Sequence, residues 1–382
     1  MTKDITLYDL LTLSSYGKIG PRGYEKLTAI GHSGKAKLRP ESKEDSRQAG
    51  MTLNKMSAQQ MVEAGIKQEI ANEFVAFREQ FDVEAEIEKL EKLGIVLITQ
   101  TDQDYPPLLK EISDPPFLLY IKGNIRSLHR QSLAVVGSRK HTHYSPAIVE
   151  RVVPDLVAGG VTIVSGLALG VDGLAHKATL AAGGVTVAII GCGLDVIYPR
   201  EHRVLADNIV ENGGAIISEY PLGTPPLKQH FPARNRLIAG VSGGTLIIEC
   251  DIQSGAMITA HHALEQNREV YAVPGPITSL SSAGPNALLR MGAHVVTSPE
   301  DLLEHLGLPS KKKTSTIRSG VSTETLPETE QAVFQLLSHE PIHIDLLVEA
   351  STLSTAEVNS SLLFLEMKGL IRNVGAAQYV RR

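Results

Sequence analysis

The sequence LAVVGSR (residues 133–139) is a short apolar run that ends in glycine, serine and arginine. Similar runs follow, separated by sequences typical of helices: VTIVSG (161–166), VTVAIIGCG (185–193), GAIISE (214–219), TLIIE (245–249) and EVYAVPG (269–275). Nearly unbroken apolar strands that alternate with helices indicate a parallel sheet buried on both faces. We therefore predict an α/β fold with a Rossmann-like, doubly wound sheet over residues 93–308.

Three further stretches surround this predicted domain. Residues 1–92 have leucines at helical spacing and predict an N-terminal helical domain, interrupted by a polar insertion at 32–50. Residues 309–325 contain few large apolar side chains, as expected of a linker. Residues 326–382 predict three helices followed by a two-stranded ribbon, which is the pattern of a winged helix.

Two details of the flanking domains bear on nucleic-acid binding. The glycine-punctuated turn at 17–27 is similar to a helix–hairpin–helix, whose turn amides bind phosphate, but an ordinary turn with a glycine cap explains it as well. The expected recognition helix of the winged helix, 355–367, carries Glu357 and Glu366. Two carboxylates on this helix favour a protein contact, or only a weak DNA contact, for the winged helix.

The composition excludes several classes of protein. The 382 residues contain 37 lysines and arginines against 42 aspartates and glutamates, a net charge of −5. This balance argues against a histone-like protein that coats duplex DNA by its bulk positive charge. No stretch approaches 18 consecutive apolar residues, so the sequence predicts no membrane span. The N-terminal residues lack the pattern of a secretory signal, and Cys192 and Cys250 form no CxxC pair. We therefore expect a reduced, cytoplasmic protein.

The loops after the predicted strands contain the residues expected at an anion site. In a doubly wound sheet, ligands bind beyond the carboxyl ends of the strands, where helix N-termini offer free amides. The residues with this placement are Gly137, Ser138, Arg139, Ser165, Gly166, Ser254 and Gly255. Neither the dinucleotide pattern G-x-G-x-x-G nor the Walker pattern occurs, so we predict an anion held differently from NAD or ATP and no cofactor.

The segment PLKQHFPARNRLIAG (226–240) adds basic side chains and a ring. Lys228, Arg234 and Arg236 lie close in sequence with Phe231 among them and Asn235 beside them. Cations for phosphates and a ring for a base are the components of a single-strand site. In the alternative interpretation, both arginines pair with nearby carboxylates and Phe231 belongs to the core.

These motifs together resemble the DprA/Smf (DNA-processing protein A) family. The resemblance rests on VVGSR (135–139), SGLALGVDGLAH (165–176), the segment 226–240 and SGAMITA (254–260). It implies a single-stranded-DNA-binding protein that protects incoming strands in natural transformation and loads the RecA recombinase onto them. It also implies a sterile-alpha-motif-like helical domain before the Rossmann fold, a winged helix after it, and a homodimer formed around residues 275–295.

The resemblance also implies roles for individual residues. Arg139, Lys228 and Phe231 would line the DNA pocket. Amides or hydroxyls for phosphates would come from Gly137, Ser138, Ser165, Gly166 and Ser254. Arg234, Asn235, Arg236 and Gly255 complete the predicted DNA-binding set, and no catalytic or metal-binding residue is predicted.

Three other functions have less support in the sequence. A hydrolase would use Ser165, Asp172 and His176, but the sequence has no G-x-S-x-G elbow. A metal site would use His176 with His261 or His262, but these histidines lack the spacing of a metal-binding motif. The phosphoribohydrolases of the LOG (cytokinin-activating) family resemble this domain. Their loop, however, is followed at once by a glutamate, whereas the loop at 254–260 has no carboxylate until Glu265. A pure protein adaptor would leave the glycine loops without a purpose.

Overall fold

The computed structural model describes residues 6–30, 55–309, 326–338 and 340–381. They belong to two compact units, residues 1–310 and 311–382. The predicted polar insertion at 32–50 and nearly all of the predicted linker lie outside the described residues. The three-domain division with boundaries at residues 92, 308 and 325 stays a prediction.

A nine-stranded sheet forms the centre of the first unit. Its strands are β1 (Ile95–Thr99), β2 (Leu118–Gly123), β3 (Ser132–Val136), β4 (Thr162–Ser165), β5 (Thr186–Ile189), β6 (Ala215–Ser218), β7 (Gly244–Ile247), β8 (Glu269–Ala272) and β9 (His294–Val295). Their order is β1-β2-β6-β5-β4-β3-β7-β8-β9. Seven neighbouring strands of this sheet run parallel, namely β6, β5, β4, β3, β7, β8 and β9. At one edge, β2 pairs antiparallel with β6, and β1 pairs antiparallel with β2.

The first parallel strand of the chain, β3, lies in the middle of the sheet. β4 pairs with it on one side and β7 on the other, so successive strands extend first in one direction and then in the opposite one. This reversal is the topological switch point of a doubly wound sheet. The predicted Rossmann-like α/β fold is confirmed.

Helices before the sheet form the predicted N-terminal helical part. Within the described residues they are α1 (Leu7–Tyr16), α2 (Pro21–Ile30), α3 (Ala58–Glu63), α4 (Gln68–Gln80) and α5 (Val83–Lys92). Thr6 and Asp9 cap α1 reciprocally, and Gly17 ends it at a φ of +74°, a left-handed conformation that favours glycine. Gly17 therefore fits the ordinary glycine-capped turn, which is one of the two interpretations of residues 17–27 that the sequence allowed. The Tyr120 hydroxyl of β2 donates to the Ser14 hydroxyl (3.0 Å), which joins α1 to the sheet.

The remaining helices of this unit cover both faces of the sheet. They are α6 (Tyr144–Ala158), α7 (Val171–Ala181), α8 (Arg203–Glu211), α9 (His230–Gly240), α10 (Gly255–Glu265), α11 (Ala283–Arg290) and α12 (Pro299–His305). Val136 of β3 shares a core with Leu237 of α9, whereas Val135 shares another with Val149 of α6. Since adjacent strand residues point to opposite faces, both must be apolar, which explains the unbroken runs. Along the described ranges, no helix is both long and apolar enough to cross a membrane.

The second unit is a small winged helix. Its elements are α13 (Glu328–Leu336), β10 (Ile342–His343), α14 (Ile344–Ala350), α15 (Thr355–Met367), β11 (Ile371–Gly375) and β12 (Gln378–Arg381). Val333, Leu347 and Leu362 belong to its core. The predicted helices and ribbon are confirmed, but β10, which pairs with β12, was missed. Two residues are too few to show the alternation that predicts a strand.

Candidate nucleic-acid interface

The loops that follow β3 and β4 pack against each other at the carboxyl edge of the sheet. The Ser138 amide donates to the Glu249 carbonyl (2.6 Å), and the Ser138 carbonyl accepts from the Val171 amide (3.2 Å) at the start of α7. Gly170 has a φ of +83°, and a β-carbon there would lie 2.2 Å from the Ser138 carbonyl oxygen. Only glycine fits this close approach. The predicted loops at 137–139 and 165–170 are therefore held together.

A cation and two rings stand exposed or half-exposed at this edge. The guanidinium carbon of Arg139 lies 5.4 Å from the ring centre of Phe231, at the start of α9. The ring of Tyr198, from the loop after β5, lies 5.6 Å from the same ring. Arg139 and Lys228 are exposed and Phe231 is half-buried. The structure thus brings together Arg139 and Phe231, which the sequence separates by more than 90 positions.

Arg234 lies beneath this edge, inside the protein. It is 3% exposed, and its guanidinium donates to the carbonyls of Gly166 (2.8 Å) and Ile189. Burial lowers the pKa of Arg234 to about 10, so the group still carries its charge near neutral pH. Arg234 therefore binds the loop after β4 from below. A direct contact between Arg234 and DNA stays a prediction, which this burial disfavours.

Asp172 completes the support of the loop after β4. Its carboxylate accepts from the amides of Gly166 (3.1 Å) and Ala168 (3.4 Å), at the loop that Arg234 also binds. Burial raises the pKa of Asp172, and the nearby positive charge of Arg234 opposes that rise. A buried positive charge and a buried carboxylate thus hold the two sides of one peptide segment.

Arg236 and Asn235 are also committed to contacts within the protein. The Arg236 guanidinium pairs with Asp114 (Nε to Oδ2, 3.2 Å) and with Glu219. For Arg236 the structure favours the alternative interpretation, a local carboxylate pair. The Asn235 side chain donates to the Gly255 carbonyl (3.1 Å) and accepts from Arg234 (3.3 Å). Asn235 therefore links α9 to the first residue of α10.

The predicted serines and glycines divide into a buried and an accessible group. The Ser165 hydroxyl is buried and donates to the Val135 carbonyl (2.7 Å), and Gly166 is buried as well. Ser254 caps α10 by accepting from the Ala256 amide (3.3 Å), and Gly255 is exposed. Ligand access is therefore open at Gly255 and closed at the Ser165 hydroxyl.

Glu249 is a buried carboxylate that the sequence did not single out. It follows β7 at the switch point and accepts from the hydroxyls of Thr142 (2.9 Å), Ser145 (2.5 Å) and Ser281 (2.9 Å). Burial opposes its ionisation, but these hydrogen bonds outweigh it and hold the pKa of Glu249 below its ordinary value. Glu249 therefore fixes the end of the loop that carries Arg139. The sequence did offer one signal for Glu249, namely a charged residue directly after the apolar run 245–248.

The hydrolase alternative does not match the contacts of its members. Asp172 binds loop amides, and the Nδ1 of His176 lies 2.7 Å from the Thr186 hydroxyl. Burial lowers the pKa of His176 to about 3, which leaves a neutral imidazole packed in the core. The Ser165 hydroxyl is bonded to a carbonyl instead of to His176. Across the described residues, no group of three His, Cys, Asp or Glu side chains has the arrangement of a metal site.

The buried pair predicts a large effect of a small substitution. Asp172→Asn removes the negative charge that opposes the buried Arg234 charge and weakens the hydrogen bonds to two loop amides, which should cost about 1–3 kcal/mol of unfolding free energy. Urea unfolding measures this loss. The control Asp207→Asn, at an exposed position of α8, should cost no more than about 0.5 kcal/mol. Equal stability of the two variants would show that Asp172 does not support Arg234.

Known proteins match this chain in sequence and in fold. Residues 96–307 match the family model described as DNA recombination-mediator protein A, and residues 319–376 match the DprA winged helix domain. Protein Smf of Escherichia coli (strain K12) is 40% identical over 324 residues, which cover 84% of this chain and 86% of that protein.

Solved structures agree with these matches. The X-ray structure of DNA processing protein A (DprA) from Streptococcus pneumoniae is 34% identical with a TM-score of 0.65, covering 79% of this chain and 98% of that one. A DNA processing protein A from Helicobacter pylori, studied for its single-stranded DNA binding mode, is 31% identical with a TM-score of 0.51, covering 56% of this chain and 95% of that one. With its doubly wound sheet, its loop motifs and its winged helix, the chain belongs to the DprA/Smf family of DNA-processing proteins.

Proposed function

We propose that this protein binds single-stranded DNA at the carboxyl edge of its sheet and thereby protects incoming strands during natural transformation. The observation that carries the proposal is the exposed Arg139 guanidinium beside the half-buried Phe231 ring at the switch point. A cation beside a ring binds one phosphate and one base face of the same strand. The single-stranded DNA binding of the related Helicobacter pylori protein supports the proposal.

The accessible residues take the direct contacts in this proposal. Arg139 and Lys228 are both exposed and bind phosphates. Gly255, at the N-terminus of α10, offers an amide to a further phosphate, as does the half-buried Gly137. The Ser138 amide already donates to the Glu249 carbonyl, so a phosphate contact of Ser138 would use its hydroxyl. Phe231 receives a base. These groups bind any sequence, because every phosphate is charged and every base has a flat face.

The members of the predicted set that bond within the protein act from beneath. Arg234 and Asn235 hold the loops at Gly166 and Gly255, and their hydrogen bonds leave them no exposed group for DNA. Ser165 and Ser254 bond within the protein in the same way, and Arg236 keeps α9 in place through Asp114 and Glu219. We propose that these residues position the binding surface.

The salt dependence of binding tests the phosphate contacts. Arg139→Ala and Lys228→Ala should each weaken binding to labelled oligothymidine, and each should reduce the slope of log K against log salt by about 0.7. Fluorescence anisotropy over a salt series measures both quantities. Lys92→Ala, which removes an exposed lysine of α5, is the matched control and should change neither. An unchanged affinity and slope for both pocket variants would place the site elsewhere.

The same titration tests the base contact. Phe231→Ala should cost about 1–3 kcal/mol of binding free energy with a nearly unchanged salt slope, because a stacked ring carries no charge. Phe364→Ala removes a ring that is 48% exposed on α15 and should leave binding unchanged. Binding of the folded Phe231 variant like that of the unsubstituted protein would assign this ring to the core.

We further propose that the protein acts by binding without turnover, in the cytoplasm. The related Streptococcus pneumoniae protein is named for DNA processing, and α10 has no carboxylate in its first turns to serve as a general base. The two cysteines are buried and unpaired, as expected in a reducing compartment. Release of base or phosphate from a nucleoside monophosphate, lost in Arg139→Ala, would contradict binding without turnover. Recovery of the protein in a membrane or secreted fraction would contradict the cytoplasmic location.

A homodimer is part of the proposal. Ile277 is 95% exposed and Leu280 is 77% exposed, both in the stretch that the family resemblance assigns to the dimer. Such exposed apolar side chains mark interfaces. In sedimentation equilibrium the protein should have twice the mass of one chain, and Ile277→Asp with Leu280→Asp should halve it. Val204→Asp, at a position 70% exposed, should stay dimeric. A protein that is already monomeric would contradict the proposal.

On the basis of the family resemblance, we also propose that the protein loads the RecA recombinase onto single-stranded DNA. The protein should shorten the lag before RecA hydrolyses ATP on a circular single strand that is already covered by a single-strand-binding protein. Arg139→Ala should lengthen that lag again, because a strand that is not held cannot be transferred. A lag that the unsubstituted protein leaves unchanged would contradict the loading role.

A further inference from the structure

A second ring stands beside Phe231 and has no part in the function proposed so far. Tyr198 lies in the loop between β5 and α8 and is 44% exposed. Its ring centre lies 5.6 Å from that of Phe231, with the two planes inclined at 45°. Neither the loop motifs nor the basic segment at 226–240 includes Tyr198.

The exposure of Tyr198 differs from that of the core tyrosines. Tyr105, Tyr120 and Tyr271 are each at most 1% exposed, so their rings contribute to the core on every side. Tyr198 instead lies beside Phe231 and keeps nearly half of its surface exposed. A ring that is fixed by a neighbour and open on its other side loses little conformational entropy when a flat ligand stacks on it.

The spacing of the two rings determines where a base can lie. A base inserted between them needs about 6.8 Å, twice the 3.4 Å stacking distance of nucleic acid. The two ring centres are 5.6 Å apart and the rings are tilted, so no base fits between them. A base therefore reaches Tyr198 only on its outward side.

We propose that Tyr198 is a second base-stacking residue, which extends the single-strand site by one nucleotide beyond Phe231. The inference rests on the proposed single-stranded-DNA function and adds a contact to it. Its ligand is the flat face of any nucleobase, so no sequence preference follows from it.

The absence of tryptophan from the chain allows a direct test. Tyr198→Trp introduces a sole tryptophan, whose fluorescence should be quenched by oligothymidine with the same midpoint as the anisotropy titration. The control is Leu264→Trp, at the far end of α10 and 47% exposed, which should show no quenching. Binding of oligothymidine to Tyr198→Trp without any change in fluorescence would overturn the inference.

Affinity measurements separate stacking from other effects. Tyr198→Leu should bind oligothymidine about 5- to 150-fold more weakly with an unchanged salt slope, and Tyr198→Phe, which keeps the ring, should stay within about twofold. A strand of the same length without bases should bind the Leu variant and the unsubstituted protein equally. Full affinity of Tyr198→Leu would overturn the inference, while losses in Arg139→Ala and Lys228→Ala would still support the DNA site. If none of these variants weakens binding, the proposed function itself fails.

Discussion

The proposed binding surface depends on the electrostatic interaction between Arg234 and Asp172, which are both buried beneath it. The pair grips one loop from both sides: Arg234 binds the Gly166 carbonyl and Asp172 binds the Gly166 amide. Such a pair contributes little net stability compared with apolar residues, but neither member can be lost alone without leaving a buried charge. The pair therefore fixes the loop in one position. That loop in turn supports Ser138 and Arg139 through the close approach at Gly170.

Charge is distributed in two layers at this edge of the sheet. Arg234 and Arg236 lie in the inner layer with carboxylates close by, so their charge is largely balanced within the protein. Arg139 and Lys228 form the outer layer and face solvent. This arrangement explains how a chain with a net charge of −5 can offer a local site for phosphates. In the proposed function, the inner layer provides shape, and the outer layer provides the attraction for DNA.

Much of the fold and part of the site could be predicted from the sequence. The apolar runs predicted the parallel sheet because both of its faces are buried, and glycine loops at strand ends predicted the edge where Arg139 and Phe231 meet. Sequence could not separate Arg234 and Arg236 from the surface cations, because burial depends on elements distant in the chain, such as Gly166 and Asp114. Tyr198 gave no signal either, since a single tyrosine in a loop has no pattern of its own.

If the carboxyl edge of the sheet binds unstacked bases together with phosphates, single-stranded and duplex DNA should compete for it unequally. Unlabelled oligothymidine, and the same strand annealed to oligoadenosine, would each displace labelled oligothymidine at one fixed salt concentration. Because duplex bases already stack on one another, the single strand should compete at least about fivefold better, as the loss of one stacked ring implies. Equal competition by the duplex would contradict it, since phosphate contacts alone would then explain the binding.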